Sequence, residues 1–288
     1  MEIKQQIKHR QASVLAVLGS LYCMLATFII FINHWQESYL AKAGQHRPDE
    51  TVIVAWIYPA LLDIAFIGAA LLLASAFLHH REHKRAWDLS MLGILLMVLG
   101  TVFPIVGSAS AGIFPKYIYV AIPNLALFYI FLIYIRKVNG KIIALATVVG
   151  LVYSVSLFNG IASASRFHQH GGVNNVHLFA GEPGYPEIGD SAKFAASMRL
   201  NWFACVTWIS FMMTMLMKKP KNVLLILSTV AVVLNLFGGI LLSLDSIINL
   251  GSSFSMFAVA PILAILITAY IASPWSTKTI EGWRNSSN

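Results

Sequence analysis

Asp63 is the residue whose type and position point most directly to chemistry, because no other ionisable side chain lies deep in a predicted membrane span. A carboxylate near the centre of a membrane helix costs about 3 kcal/mol unless it is paired, hydrated or protonated. The sequence therefore predicts either an ion or proton site, or a protonated carboxyl group that hydrogen-bonds Tyr58, Asn124 or Asn235. Pro59, one turn earlier, predicts a kink and a freed backbone carbonyl. Since no Lys or Arg falls within a predicted span, an elaborate charge-coupled relay is disfavoured.

A second candidate site lies in the longest polar stretch of the chain, RFHQHGGVNNVHLFAGEPGYPEIGD. His168 and His170 would point the same way in an extended segment. His177 and an acid would then complete a Zn²⁺ or Cu²⁺ site, to which His34 and His46 of an earlier loop are candidate additions. The spacing matches no closed zinc pattern, and the paired glycines and asparagines favour turns. An ordered surface loop without metal is therefore the alternative interpretation.

The segment HHREHKR places two further histidines, His79 and His83, one helical turn apart. Arg81, Lys84 and Arg85 lie between and beside them, and their charge opposes a bound cation. A basic patch that faces anionic lipid fits this composition better than a metal site. None of the nine histidines falls within a predicted span, so the sequence does not predict a haem ligated between helices.

Several motifs that carry enzymatic chemistry are absent from the sequence. It contains no Walker A loop, no GxGxxG after a strand, no GxSxG and no HExxH. The two cysteines, Cys23 and Cys205, both lie in apolar runs and offer neither a disulfide framework nor a CxxC pair. These absences disfavour an enzyme and a nucleotide-powered machine, and no nucleotide cofactor is predicted.

The composition assigns the chain to the polytopic α-helical membrane proteins. Of its 288 residues, 58% are hydrophobic and only 11% are charged, whereas soluble domains are about 25% charged. Several continuous apolar runs reach the length of about 20 residues that crosses a bilayer as a helix. The predicted fold is therefore an all-α bundle with eight spans: Ala12–Asn33, Val52–Leu78, Leu89–Gly107, Tyr117–Ile135, Ile142–Phe158, Leu200–Met217, Val223–Leu242 and Met256–Ala272.

The distribution of Lys and Arg predicts the orientation of this bundle. Both termini and the connections after the second, fourth and sixth spans carry 14 of the 20 basic residues. Cytoplasmic loops carry this excess in membrane proteins, so we expect both termini in the cytoplasm and the protein in the cell membrane. The net charge of +8 is confined to these short connections and does not indicate nucleic-acid binding.

The chain is predicted to form one membrane domain. A weak internal duplication is predicted within it, with four spans in residues 1–138 and four in residues 139–288. The fourth and eighth spans share Pro-x-Leu-Ala, and four-span repeats of parallel orientation occur in some transporters. Residues 159–190 are predicted to form an ordered outer loop, with the sixth helix starting near Ser191.

These features lead to three expectations of function. The first is a transporter or channel for a small solute or ion that works without ATP, with Asp63, Tyr58, Asn124 and Asn235 on its pathway. The second is a non-catalytic membrane subunit that assembles, anchors or senses within a larger complex. The third is a membrane protein that binds metal at its outer face through His168, His170 and His177. In each case the bilayer is a partner, and other membrane proteins are expected partners.

Overall fold

Long α-helices make up the protein, and no strand occurs in the residues that the structure describes. This computed structural model describes residues 2–44, 53–110, 112–169, 188–250 and 255–286. A π-helical turn, Ile53–Ile57, precedes the second helix, another, Phe131–Ile135, extends the fourth, and a 3₁₀ turn, Met256–Ala258, precedes the eighth. The helices are α1 (Glu2–Gly44), α2 (Tyr58–His80), α3 (Ala86–Ser110), α4 (Ile118–Ile130), α5 (Gly140–Gln169), α6 (Ile188–Leu216), α7 (Lys221–Leu250), α8 (Val259–Ala272) and α9 (Pro274–Arg284).

Six of these helices are long and apolar enough to cross a membrane, by the test of length and composition applied to the described residues. They are α1, α2, α3, α4 with its π-helical extension, α5 and α7. A seventh span results if α8 and α9, which bend by 74° at their junction, count as one. The predicted sixth span lies in α6 and is not among them, because side chains such as Arg199 and Asn201 lower the hydropathy of that helix. The helical membrane class is thus supported, with six or seven candidate spans among the described residues where the sequence predicts eight.

The chain divides into two compact units, which are described separately below. Unit one comprises residues 1–143 with 286–288, and unit two comprises residues 144–285. This division lies close to the boundary of the predicted duplication, but compactness does not test a shared origin, and the duplication stays a prediction. Helix α5 continues to Gln169 and α6 begins at Ile188, so only 170–187 of the predicted outer loop separates them, and these residues lie outside the described ranges.

In unit one, α2 and α3 pack together through glycines that allow their backbones to touch. A Cβ atom on Gly100 would stand within 3.0 Å of Leu61 O and Ala65 N, and one on Gly93 would meet the backbone of α2 at Gly68 and Leu72. Small residues permit this approach between membrane helices. On this face of α2, Ala65 and Ala69 are buried, whereas Ala70 and Ala74, on another face, are exposed.

Two prolines inside helices free carbonyl groups that other helices then satisfy. Pro123 has no N–H to donate to Tyr119 O, and the hydroxyl of Tyr22 donates to that carbonyl instead. In unit two, Pro261 leaves Phe257 O without its helical donor, and Asn159 Nδ2 donates to it at 3.0 Å. These prolines therefore fix contacts between helices as well as local geometry.

We expect Gly100→Ala to destabilise unit one by about 1–3 kcal/mol, because the added methyl group would push apart two backbones in contact. Gly150→Ala is the matched control, since nothing lies within 4 Å of a Cβ at that helical position. Thermal unfolding of the purified protein in detergent measures both. Equal unfolding temperatures for the two variants would contradict the close approach of α2 and α3.

Candidate functional site

A buried pair of histidines joins the start of α1 to the end of α2. His9 Nδ1 and His79 Nδ1 lie 2.8 Å apart, and the two residues are 4% and 1% exposed. The Trp87 ring packs against both imidazoles, with centroids 5.2 and 4.5 Å away. Their separation is a hydrogen bond, so one Nδ1 carries a hydrogen and the other presents its lone pair.

A chain of serine hydroxyls continues from this pair into unit one. His79 Nε2 lies 2.9 Å from Ser90 Oγ, and Ser90 Oγ lies 2.8 Å from Ser75 Oγ. Ser75 donates to Leu72 O at 2.6 Å, while Ser90 also lies 3.0 Å from Ala86 O. The hydrogen of Ser90 has two acceptors to choose between, so its lone pair is available to His79.

The hydrogens of this network are assigned from its hydrogen bonds. When Ser90 donates to Ser75 Oγ or Ala86 O, it accepts from His79 Nε2–H, and the Nδ1 of a neutral His79 then accepts from His9 Nδ1–H. In this assignment His9 Nε2 keeps a free lone pair and is the atom that can take up a proton. A second added proton would place two N–H groups face to face at 2.8 Å. The pair so assigned can accept one proton and not a second.

Two opposing effects act on a positive charge at His9. Burial disfavours it, and the carboxylate of Glu82, on the turn after α2, favours it. The serine chain ends at a helical carbonyl, Leu72 O, and so offers a proton no further acceptor. The geometry is that of a site that binds and holds a proton, since a conducting wire would continue beyond Ser75.

A second polar cluster, buried at its histidine and open to the surface at its acid and lysine, lies about 37 Å further along α1, at a rise of about 1.5 Å per residue. His34 is fully buried, with Nδ1 2.7 Å from Glu37 Oε2 and Nε2 3.2 Å from Ser108 Oγ. Lys116 Nζ lies 2.7 Å from the same Glu37 oxygen, and the Tyr117 ring meets the imidazole edge-on. This cluster contains an acid, a base and a histidine in contact.

Ser108, His34 and Glu37 stand in the order of a hydrolase triad, but they do not form a nucleophilic site in this conformation. The Ser108 hydroxyl donates to Pro104 O at 2.9 Å and is fully buried. A triad serine must instead be presented to its substrate, with its proton directed to the histidine. The cluster is better described as a histidine held by a carboxylate at one end of unit one.

The predicted pathway residue Asp63 lies on the outside of α2. It is exposed, and it makes no hydrogen bond or ion pair with any residue that the structure describes. Within unit one, the structure does not bring Asp63 together with Tyr58 or Asn124.

The other residues predicted to accompany Asp63 are buried and take up structural contacts. Asn124 Nδ2 lies 3.4 Å from Met97 O and from Thr101 Oγ1, and the residue borders a shallow apolar surface cleft of about 290 Å³. Tyr58 packs edge-on against Phe103 and Tyr117. Both residues therefore contribute to the interior of unit one.

Asn235, in unit two, has its amide satisfied on both sides. Its Oδ1 accepts from Trp208 Nε1 at 3.0 Å, and its Nδ2 donates to Ser156 Oγ at 2.9 Å. All three residues are buried, so these bonds join α5, α6 and α7. This arrangement indicates a structural role for Asn235, since both ends of its amide already have partners on neighbouring helices.

The metal site predicted from the polar stretch stays a prediction. His170 and His177 lie outside the described residues, and the side chain of His168 is not described either. In the part of the chain that the structure does describe, no group of three or more His, Cys, Asp or Glu residues is placed to hold a metal ion. In unit one, His83 accepts from Arg85 N and is exposed, so it does not join His79 in a metal pair.

The sequence indicated His34 and His79 only as secondary metal candidates, and it did not indicate His9. His9, His34 and His79 all lie beyond the ends of the predicted spans, where exposure is expected. One signal was available, because seven polar residues of α1 recur at intervals of three, four or seven positions along a single face: His9, Ser13, Ser20, Cys23, Thr27, His34 and Ser38. A polar stripe at this spacing on an apolar helix indicates a buried polar seam.

Comparison of the chain with protein-family models, with curated protein sequences and with solved structures found no match. Function is therefore inferred from these clusters alone.

We expect Asn235→Leu to lower the free energy of unfolding by about 1–3 kcal/mol, because it leaves the buried Trp208 N–H without an acceptor. Ser228→Ala is the control on the same helix, since that hydroxyl bonds only the Leu225 carbonyl of its own helix. Chemical denaturation followed by tryptophan fluorescence measures the difference. If Asn235→Leu were as stable as the control, the structural role of Asn235 would be wrong.

Proposed function

We propose that the protein is a proton-coupled transporter of a small solute or ion that works without ATP. The observation that carries the proposal is the His9–His79 hydrogen bond, a buried site in a membrane-type helix bundle that has room for one additional proton. Histidine is the side chain that changes charge near neutral pH. Buried ionisable residues in membrane bundles characteristically serve ion pathways and proton relays.

The polar seam along α1 supports a transport role for unit one. Between the histidine pair and the His34 cluster lie the buried side chains of Ser20, Cys23 and Thr27. A helix that only anchored the protein would have no reason to bury so many polar groups, because each needs a partner inside the bundle. We propose that protons reach His9 at one end and that the His34–Glu37 pair serves the other.

The proposal includes the orientation and membrane that the charge distribution favours. With this orientation, His9 and His79 would lie on the cytoplasmic side of the cell membrane, and His34 on the outer side. A proton taken up by the pair would then come from the cytoplasm.

The test is the charge displaced when protons bind to the full-length protein, reconstituted in lipid and adsorbed on a sensor membrane. A step to lower pH should displace charge in the wild type, and His9→Gln or His79→Gln should remove most of that signal. His83→Gln is the matched control, because His83 is an exposed histidine near the same end of unit one. Unchanged signals in both pair variants, or an equal loss in the control, would contradict the proposal.

A second candidate function, a membrane subunit of a larger complex, is supported by the exposed face of α2. Ala60, Asp63, Ile67, Ala70 and Ala74 are all exposed and recur at intervals of three and four residues. This is the spacing of a helix–helix seam, and the alanines would allow a close approach. A carboxylate in that seam favours a partner helix with a basic side chain at the same depth.

This candidate predicts preferential binding of a cationic membrane helix. A synthetic polyleucine helix with one lysine should associate with the full-length protein in vesicles at least tenfold more tightly than the same helix without lysine, as measured by energy transfer. Asp63→Asn should remove the preference, whereas Ile67→Ala should keep it. Equal affinity for both peptides would eliminate the second candidate.

A further inference from the structure

Two buried asparagines in unit two present carbonyl oxygens that nothing described in the structure satisfies. Asn159 on α5 and Asn201 on α6 are both fully buried. Neither Asn159 Oδ1 nor Asn201 Oδ1 has a hydrogen-bond partner among the described residues. Their helices meet one turn away, where Ser163 Oγ and Ser197 Oγ lie 2.8 Å apart. Gly160, next to Asn159, packs near Asn201, because a Cβ on Gly160 would lie 3.6 Å from Asn201 Cβ. We call these two residues, with Ser163, Ser197 and Gly238, the amide cluster.

The orientation of both amides is fixed by their other end. Asn159 Nδ2 donates to Phe257 O at 3.0 Å, and Asn201 Nδ2 donates to Ser197 O at 2.9 Å. A carbonyl accepts only from a donor, so the nitrogen must face it and the oxygen must face away. The unsatisfied atoms are therefore oxygens. Pro261 leaves Phe257 O free to accept from Asn159 Nδ2 and so helps to orient Asn159 Oδ1.

The unused hydrogen-bonding capacity of the amide cluster is on the acceptor side. The hydroxyls of Ser163 and Ser197 lie 2.8 Å apart and donate onward to Asn159 O and Gly238 O. A buried oxygen without a donor costs about 1–3 kcal/mol. Two such oxygens next to hydroxyl and carbonyl oxygens create a site that attracts a positive ligand.

The chemistry of these oxygens selects the class of ligand. Divalent cations favour carboxylate ligands, and no carboxylate belongs to the cluster among the side chains that the structure describes. Amide oxygens are too weakly basic to hold a proton near neutral pH. Neutral carbonyl and amide oxygens do replace the hydration shell of alkali cations, as in channel filters and in transporter sites near broken helices.

We propose that the amide cluster binds a monovalent alkali cation, Na⁺ or K⁺, through Asn159 Oδ1 and Asn201 Oδ1. Gly238 is part of the site, because a Cβ there would lie 3.2 Å from Asn201 Oδ1 and 2.6 Å from its Nδ2. A side chain at residue 238 would occupy the space in which the amide stands. The inference goes beyond the proposed proton site and does not rest on it.

Arg166, two turns along α5 from Asn159, is the nearest basic residue of that helix. Its guanidinium donates to Ser246 Oγ at 3.2 Å and lies 5.4 Å from the centroid of the Phe257 ring. Arg166 stands about 10 Å along the helix axis from Asn159, and its positive charge opposes a bound cation through a medium of reduced dielectric constant. Arg166→Gln should therefore tighten cation binding several-fold, as a positive control for the location of the site.

The experiment compares thermal unfolding of the full-length protein in equal concentrations of NaCl, KCl and choline chloride. A ligand that binds only the folded state raises the unfolding temperature with its concentration. NaCl or KCl should therefore stabilise the wild type relative to choline chloride. The shift should disappear in Asn201→Leu and persist in Thr207→Val, a control on the same helix whose hydroxyl bonds only Phe203 O.

Two further measurements keep the result interpretable if Asn201→Leu does not fold. Asn201→Asp keeps an oxygen at the site and adds a negative charge, so it should bind the cation at least tenfold more tightly. Equilibrium binding of radioactive Na⁺ and Rb⁺, the latter a substitute for K⁺, should give one ion per wild-type chain. His79→Gln should keep the cation effect, which separates this site from the proton site.

Identical unfolding in all three chlorides, without ion binding, would show that the amide oxygens are satisfied by water alone and would overturn the proposal. Loss of the cation effect in Thr207→Val to the same extent as in Asn201→Leu would also overturn it.

Discussion

A polar group on a membrane helix must find its partner inside the bundle, and this constraint organises both units of the protein. Water is absent from the hydrocarbon region, so an unpaired donor or acceptor there is costly. The helices respond with bonds such as His9 to His79, Trp208 to Asn235 and Tyr22 to a carbonyl that Pro123 leaves free. The same requirement makes unsatisfied amide oxygens such as those of Asn159 and Asn201 significant.

The two units meet this constraint with different chemistry. In unit one, histidines at both ends of α1 take part in the buried hydrogen bonds. The interior of unit two is lined by amides and hydroxyls, which keep their charge at any physiological pH but offer oxygens to a cation. A protein that combined a proton site with an alkali-cation site would have what an ion-coupled transporter needs, with no nucleotide.

The helical class and most spans could be predicted, because apolar runs of about 20 residues dominate hydropathy over any window. The sites could not be predicted from the sequence, for two physical reasons. His9, His34 and His79 lie beyond the predicted spans, where only tertiary packing decides whether a side chain is buried. Asp63 was predicted to face polar partners, but the direction of a side chain around a uniformly apolar helix depends on its neighbours. The sixth span was predicted from the apolar C-terminal half of α6, although the N-terminal half of that helix carries charge.

The most direct test of the account is nitrogen NMR of the full-length protein labelled at histidine, with His9 and His79 assigned by substitution. A hydrogen bond between the two Nδ1 atoms requires that only one of them carries a hydrogen, and it should give a nitrogen–nitrogen coupling across the bond. Lowering the pH should add one proton to the pair while the protein stays folded. Two histidines that each become doubly protonated, independently and without that coupling, would contradict the central claim.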